Sequence, residues 1–191
     1  MGVEEKQMKA KNVGTINLSD KIIISDPGDD REYSGINKDI PMKSGEYQAV
    51  IVQRDEGEYG MCITALAVIH TDSIYEITSK TPNWELWSST LVDSGMCGIF
   101  DDSIYPKSKY EGGTVGNPDS FYGECVNIKL AEPQYGILKN KSGVVSISGY
   151  GEGNFDLYCI SSDHKNIAFI IDYDVANKWQ IRDLIINSLK K

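Results

Sequence analysis

The chain has 191 residues, 40% hydrophobic and 25% charged, and its 19 basic and 28 acidic side chains leave a formal charge of −9. That field repels nucleic-acid backbones and anionic lipid surfaces, and the only basic run is Lys190-Lys191. No apolar run approaches the ~20 residues that cross a bilayer. The expectation is no nucleic-acid and no membrane partner, whereas cations and basic proteins gain from the negative field.

A chain of this length buries about 70% of its unfolded surface, enough for one core without disulfides or structural metals. It reads as a single domain over 1–191, with polar residues 1–11 disordered or frayed and lacking the apolar stretch of a signal peptide. Cys62, Cys97, Cys125 and Cys159 form no CxxC pair, and three sit in apolar runs. Buried free thiols in a reducing, cytoplasmic setting fit that usage.

In chain order, Lys21–Ser25, Tyr47–Gln53 and Met61–Ile69 read as strands, being β-branched or apolar and bounded by turn residues. Asp55-Glu56-Gly57-Glu58 reads as the turn joining the second and third of these. Thr90–Val92, Val144–Ile147, Phe155–Ile160 and Ile167–Ile171 read as further strands, and Asp163–Asn166 as the turn between the last two. Two segments have helical spacing. Over Asp119–Leu130, opened by Pro118-Asp119, Phe121, Cys125 and Ile128 recur at i, i+4 and i+7. Over Asp174–Leu189, Asp174 caps the helix, and Val175, Trp179, Ile186 and Leu189 share a core stripe widened by Leu184 and Ile185. Lys190 and Lys191 suit the C-terminal dipole. The fold class is α+β or mainly β: an antiparallel sandwich or strongly bent sheet with one or two helices, including a C-terminal helix.

Three glycine-and-carboxylate clusters interrupt this pattern: Ser25-Asp26-Pro27-Gly28-Asp29-Asp30, Val92–Asp102 and Ser146–Asp156. Each has a plain reading as a capped turn, since Asp and Gly are among the commonest turn residues. Asp29, Asp30 and Asp102, which extend runs already holding an acid, are read as turn residues. Each cluster also has a ligand reading. Glycines let another group come close, and carboxylates gathered from strand ends can hold Ca²⁺ or Mg²⁺ through oxygen. On that reading Asp26, Asp93, Asp101 and Glu152 are the metal or charge-bearing residues. Ser94 and Ser148 add hydroxyls, Tyr150 joins the ligand-binding set, and Gly95, Gly149 and Gly151 permit close approach.

Val-Asp-Ser-Gly-x-x-Gly-Ile-Phe-Asp (92–101) and Ser-Gly-Tyr-Gly-Glu-Gly-x-Phe-x-Leu-Tyr (148–158) resemble the two signature blocks of a bacterial family known only as a domain of unknown function. Asp26-Pro27 after a strand and Ser44-Gly45-Glu46-Tyr47 at the start of another are similar to further family features. The resemblance runs from Ile22 to Ile171. Glu152 stands where the family usually has Asp, which keeps the charge but lengthens the reach. The resemblance implies a site and carries no activity.

Other constellations are thinner. Ser94 lacks a G-x-S-x-G elbow, and Gly149–Gly153 lacks the strand-to-helix setting of a dinucleotide loop. Cys97 and His70 can be written as a thiol nucleophile and base, but nothing local joins them, and a buried thiol with a strand-end histidine is the favoured reading. His70 and His164 are too far apart in sequence to argue for zinc. Trp84, Trp87, Tyr105, Tyr110 and Tyr122 flank the second cluster and suit either a ligand cleft or a core edge. The preferred function is a binding module with an acidic, glycine-rich pocket for a small ligand or divalent cation. The alternatives are a metal-assisted hydrolase using the same carboxylates and an acidic interaction protein, of immunity or antidefence type, masking a basic target.

Overall fold

A computed structural model describes residues 7–174 and 178–190. Eleven strands and three α-helices run in the order β1 (Met8–Leu18), β2 (Lys21–Ser25), β3 (Asn37–Pro41), β4 (Gly45–Asp55), β5 (Met61–His70), α1 (Ile74–Ser79), β6 (Glu85–Val92), β7 (Met96–Asp101), α2 (Phe121–Leu130), β8 (Tyr135–Ile137), β9 (Gly143–Ile147), β10 (Gly153–Ser162), β11 (Lys165–Asp172) and α3 (Lys178–Ser188). The strands form two sheets, one ordered β1-β4-β5-β11-β10-β6 and the other β3-β2-β7-β9-β8. Every strand pairing is antiparallel.

The period-2 geometry of a strand explains the layers. On β5, Leu66 and Val68 point into a core shared with Ile24, Ile99 and Val144 of the second sheet. Their neighbours Ala65, Ala67 and Ile69 point the other way, onto Ile181, Ile185 and Ile186 of α3. On β7, Cys97 and Ile99 join the central core, whereas Met96 and Phe100 pack with Cys125 and Val126 of α2. Each sheet is thus a middle layer between the other sheet and a helix, and its central strands are apolar on both faces. No helix among the described residues is long and apolar enough to cross a membrane.

Several expectations change. Residues 8–11 are not frayed: they begin β1, where Met8 to Leu18 pair with β4 across a bulge at Asn12/Gly14. Such an edge strand is held by its backbone ladder, so its sequence can stay polar. β3, β7, β8 and α1 are additional to the sequence reading. The residues from Met96 to Asp101, read only as part of a loop cluster, are a wholly buried central strand. Ser120, not Asp119, caps α2, its hydroxyl accepting the Gly123 N–H at 3.1 Å, while Asp119 pairs with Lys139. Asp174 binds Arg54. Val175, Lys191 and the side chain of Trp179 lie outside the described residues.

Candidate functional site

The register of the two sheets brings two loops together. β6 leaves the first sheet at Val92 and β7 enters the second at Met96, so Asp93-Ser94-Gly95 crosses between sheets. β9 leaves the second sheet at Ile147 and β10 enters the first at Gly153, so 148–152 crosses back. Val92 pairs with Gly153 and Met96 with Ile147, which forces the crossings side by side. The Ser148 N–H donates to Gly95 O at 3.0 Å, and a Cβ on Gly95 would stand 3.6 Å from Gly151 Cα. Gly95 and Gly149 both have positive φ, 73° and 60°, which lets the chain turn this sharply. Ser148 closes its own loop by donating to Gly151 O at 2.7 Å.

Between the loops lies an open cleft of about 640 Å³. Asp93 and Ser94 line one side and Gly149, Tyr150, Gly151 and Glu152 the other, with Lys129 and Ile147 at the base. Asp93, Tyr150 and Glu152 are exposed. Lys129, in the last turn of α2, donates its ammonium to Ser94 O. Sequence reasoning missed it, and only its helix-end position hinted at a role. The Ser94 hydroxyl is buried and has no hydrogen-bond partner among the described residues.

Asp26 supports this site from beneath. It is 1% exposed; Oδ2 accepts the Asp93 and Ser94 N–H groups at 3.2 and 2.6 Å, and Oδ1 accepts that of Gly28 at 3.0 Å. It therefore fixes the 93–94 turn instead of lining the cleft.

Asp101 is elsewhere, at the opposite end of β7 from the cleft, about 17 Å along the strand at ~3.3 Å per residue. Its carboxylate accepts from Ser19 and Ser103. Burial pushes its pKa up, but the bonds from Ser103 and Ser19 outweigh this and leave it below the ordinary value. The expected metal quartet of Asp26, Asp93, Asp101 and Glu152 is thus divided among three places, because β7 intervenes and Asp26 is turned inward. Among the described residues no three His, Cys, Asp or Glu side chains are grouped to hold a metal ion.

Tyr150 is anchored although it is 72% exposed. Its hydroxyl donates to Glu56 Oε1 and accepts from Arg54 Nη2, both at 2.5 Å. Arg54, 9% exposed, also binds Glu56 through Nε at 2.6 Å and Asp174 through Nη1. The β4–β5 hairpin thereby grips the 148–152 loop.

A second, smaller cleft of about 290 Å³ lies beside the Asp26 turn, lined by Asp29, Lys109, Tyr110 and Tyr122. Asp29 is more than a turn residue. Burial, then the nearby Asp26 and Asp93 carboxylates, raise its pKa from 3.8 to about 6. The flanking aromatics divide: Tyr105 is core and donates to the Asp26 and Asp29 carbonyls, Trp84 packs partly buried against the core on the outer face of the first sheet, and Trp87 stands edge-on to Phe169. Cys97 is fully buried, its thiol pushed up by burial and by Asp26. His70 is buried against Tyr47 with Nε2 3.3 Å from Ser44 O. All four cysteines are free thiols.

No family model, curated protein or solved structure matches the chain.

Proposed function

We propose that this protein is a binding module whose ligand site is the cleft between the 93–95 and 148–152 crossings. One observation carries the reading: the sheet register itself juxtaposes two glycine-bearing loops around charged groups, and buried polar side chains hold both loops from behind. Asp26 fixes one crossing through two backbone N–H groups, and Arg54 with Glu56 fixes Tyr150 of the other. Sites that bind selectively are built in this way, with exposed groups preorganised by a buried second layer. The free, mostly buried thiols favour a reducing compartment such as the cytoplasm. The dispersal of Asp26 and Asp101 away from the cleft favours binding over metal-assisted hydrolysis by all four carboxylates.

Thermal unfolding tests the reading against a panel of single-group compounds: methylguanidinium, butylammonium, amino acids, monosaccharides and phosphate. A compound at 100 times its dissociation constant adds about 2.7 kcal/mol, which in a chain of this size raises Tm by roughly 5–10 °C. The expected result is a shift for at least one compound that is lost in Asp93→Asn and Glu152→Gln. Absence of any shift across the panel would remove the cleft as a ligand site.

A further inference from the structure

We propose that the cleft and the hairpin tip beside it form one docking surface for a basic polypeptide, an extended segment presenting arginine or lysine side chains. The proposal rests on reading the cleft as a ligand site and names its occupant.

The hairpin tip adjoins the cleft because Glu56 bonds Tyr150, a residue of the cleft wall. Around this junction the surface carries three large exposed side chains: Tyr59 at 93%, Tyr150 at 72% and Met61 at 47%. Tyrosine and methionine are enriched where proteins meet, and a tyrosine whose hydroxyl is already bonded to two side chains loses little freedom on binding. Four exposed carboxylates surround them: Asp55 and Glu58 on the hairpin, Asp93 and Glu152 on the crossings. Among the described residues, two cations at this end are engaged by the protein itself, Arg54 with Glu56 and Asp174, and Lys129 with Ser94 O. The outward field is therefore negative, in a molecule already at −9.

Carboxylates beside an anchored aromatic ring are the partners a guanidinium or ammonium takes, by charge-assisted hydrogen bonds and by lying over the ring face. Arg54 already lies over the Tyr150 ring, 5.8 Å from its centroid, so this ring takes a guanidinium as a partner within the protein itself. The Ser94 hydroxyl, behind the cleft wall, has no partner among the described residues. The open mouth of the cleft, whose Tyr150 wall is bonded to Glu56 of the hairpin, suits a chain laid across both better than an enclosed small molecule.

The test is fluorescence anisotropy of the full-length protein with dye-labelled hexapeptides alternating glycine with arginine, with lysine or with glutamate. The basic peptides are expected to bind, the acidic one not, and the affinity to fall with added salt. Tyr59→Ser and Glu58→Gln, both on the exposed tip, are each expected to weaken binding at least ~5-fold, with far-UV circular dichroism unchanged. If methylguanidinium stabilises the protein through Asp93 and Glu152, yet the basic peptides bind no tighter than it and ignore both tip variants, the docking surface is overturned while the cleft reading stands. Equal binding of the acidic peptide overturns the proposal as well, and failure of the peptides together with every compound of the panel overturns both readings.

Discussion

Asp26 and Asp29 are three residues apart and have opposite electrostatic fates. Asp26 spends its carboxylate on three backbone N–H groups, so Asp26→Ala removes a shared acceptor from a buried position. A loss of about 2–4 kcal/mol is expected, measurable as a lower urea midpoint, together with a looser 93–95 crossing and weaker ligand stabilisation. Asp29 instead destabilises the fold when ionised. Its pKa rises from 3.8 to about 6, so folding favours the protonated acid. That contribution is complete below pH 3.8 and is lost as the pH climbs through about 6. Asp29→Asn should therefore leave stability unchanged near pH 3.5 and raise it by about 1 kcal/mol at pH 8, well under the full value because solvent reaches and screens the group. Unfolding of both proteins across this range decides the matter; an equal gain at both pH values would mean that ionisation of Asp29 is not the cause.

Among the elements, β7 carries the tightest constraint. A Cβ on Gly98 would lie 2.2 Å from Phe100 Cζ and 2.8 Å from Val144 O, the latter on the neighbouring strand β9. Gly98→Ala should cost about 1–3 kcal/mol by overpacking, seen as a lower denaturation midpoint with the same slope; no change would mean that β7 and β9 are less closely packed than described. The same strand shows what a sequence can reveal. β5 was legible because Ala65–Ile69 is an unbroken apolar run, the mark of a strand buried on both faces. β7 was hidden because acids bracket it and a glycine divides it. Asp93 and Asp101, eight positions apart, looked like one cluster, yet a strand separates them. β1 was hidden for a different reason, since an edge strand needs ladder bonds more than apolar side chains. The loops of the cleft were legible from their glycines and acids. Lys129 was not, because α2 delivers it from 34 positions beyond Gly95, and only packing of that helix on Met96 and Phe100 brings it there.

On the scale of the whole molecule, the cleft lies where both sheets, the β4–β5 hairpin and α2 meet, so each layer contributes a group to one electrostatic balance. The hairpin contributes its ion network: Arg54→Met would strip the shared cation from Glu56 and Asp174, and removal of one member of a buried ion pair costs about 3–5 kcal/mol. α2 contributes a charge opposed to a basic partner. The Lys129 ammonium lines a cleft whose other charged walls are Asp93 and Glu152, so it repels the cation that those carboxylates attract. Lys129→Gln keeps a donor for Ser94 O while deleting that repulsion. For charges several ångströms apart in a wet cleft the change is about 1 kcal/mol, so the arginine hexapeptide should bind about 5-fold tighter, and the gain should shrink as salt is added. Weaker binding in this variant would mean that Lys129 grips the partner itself, through a carbonyl or carboxylate, and that the cleft selects for mixed charge instead of positive charge alone.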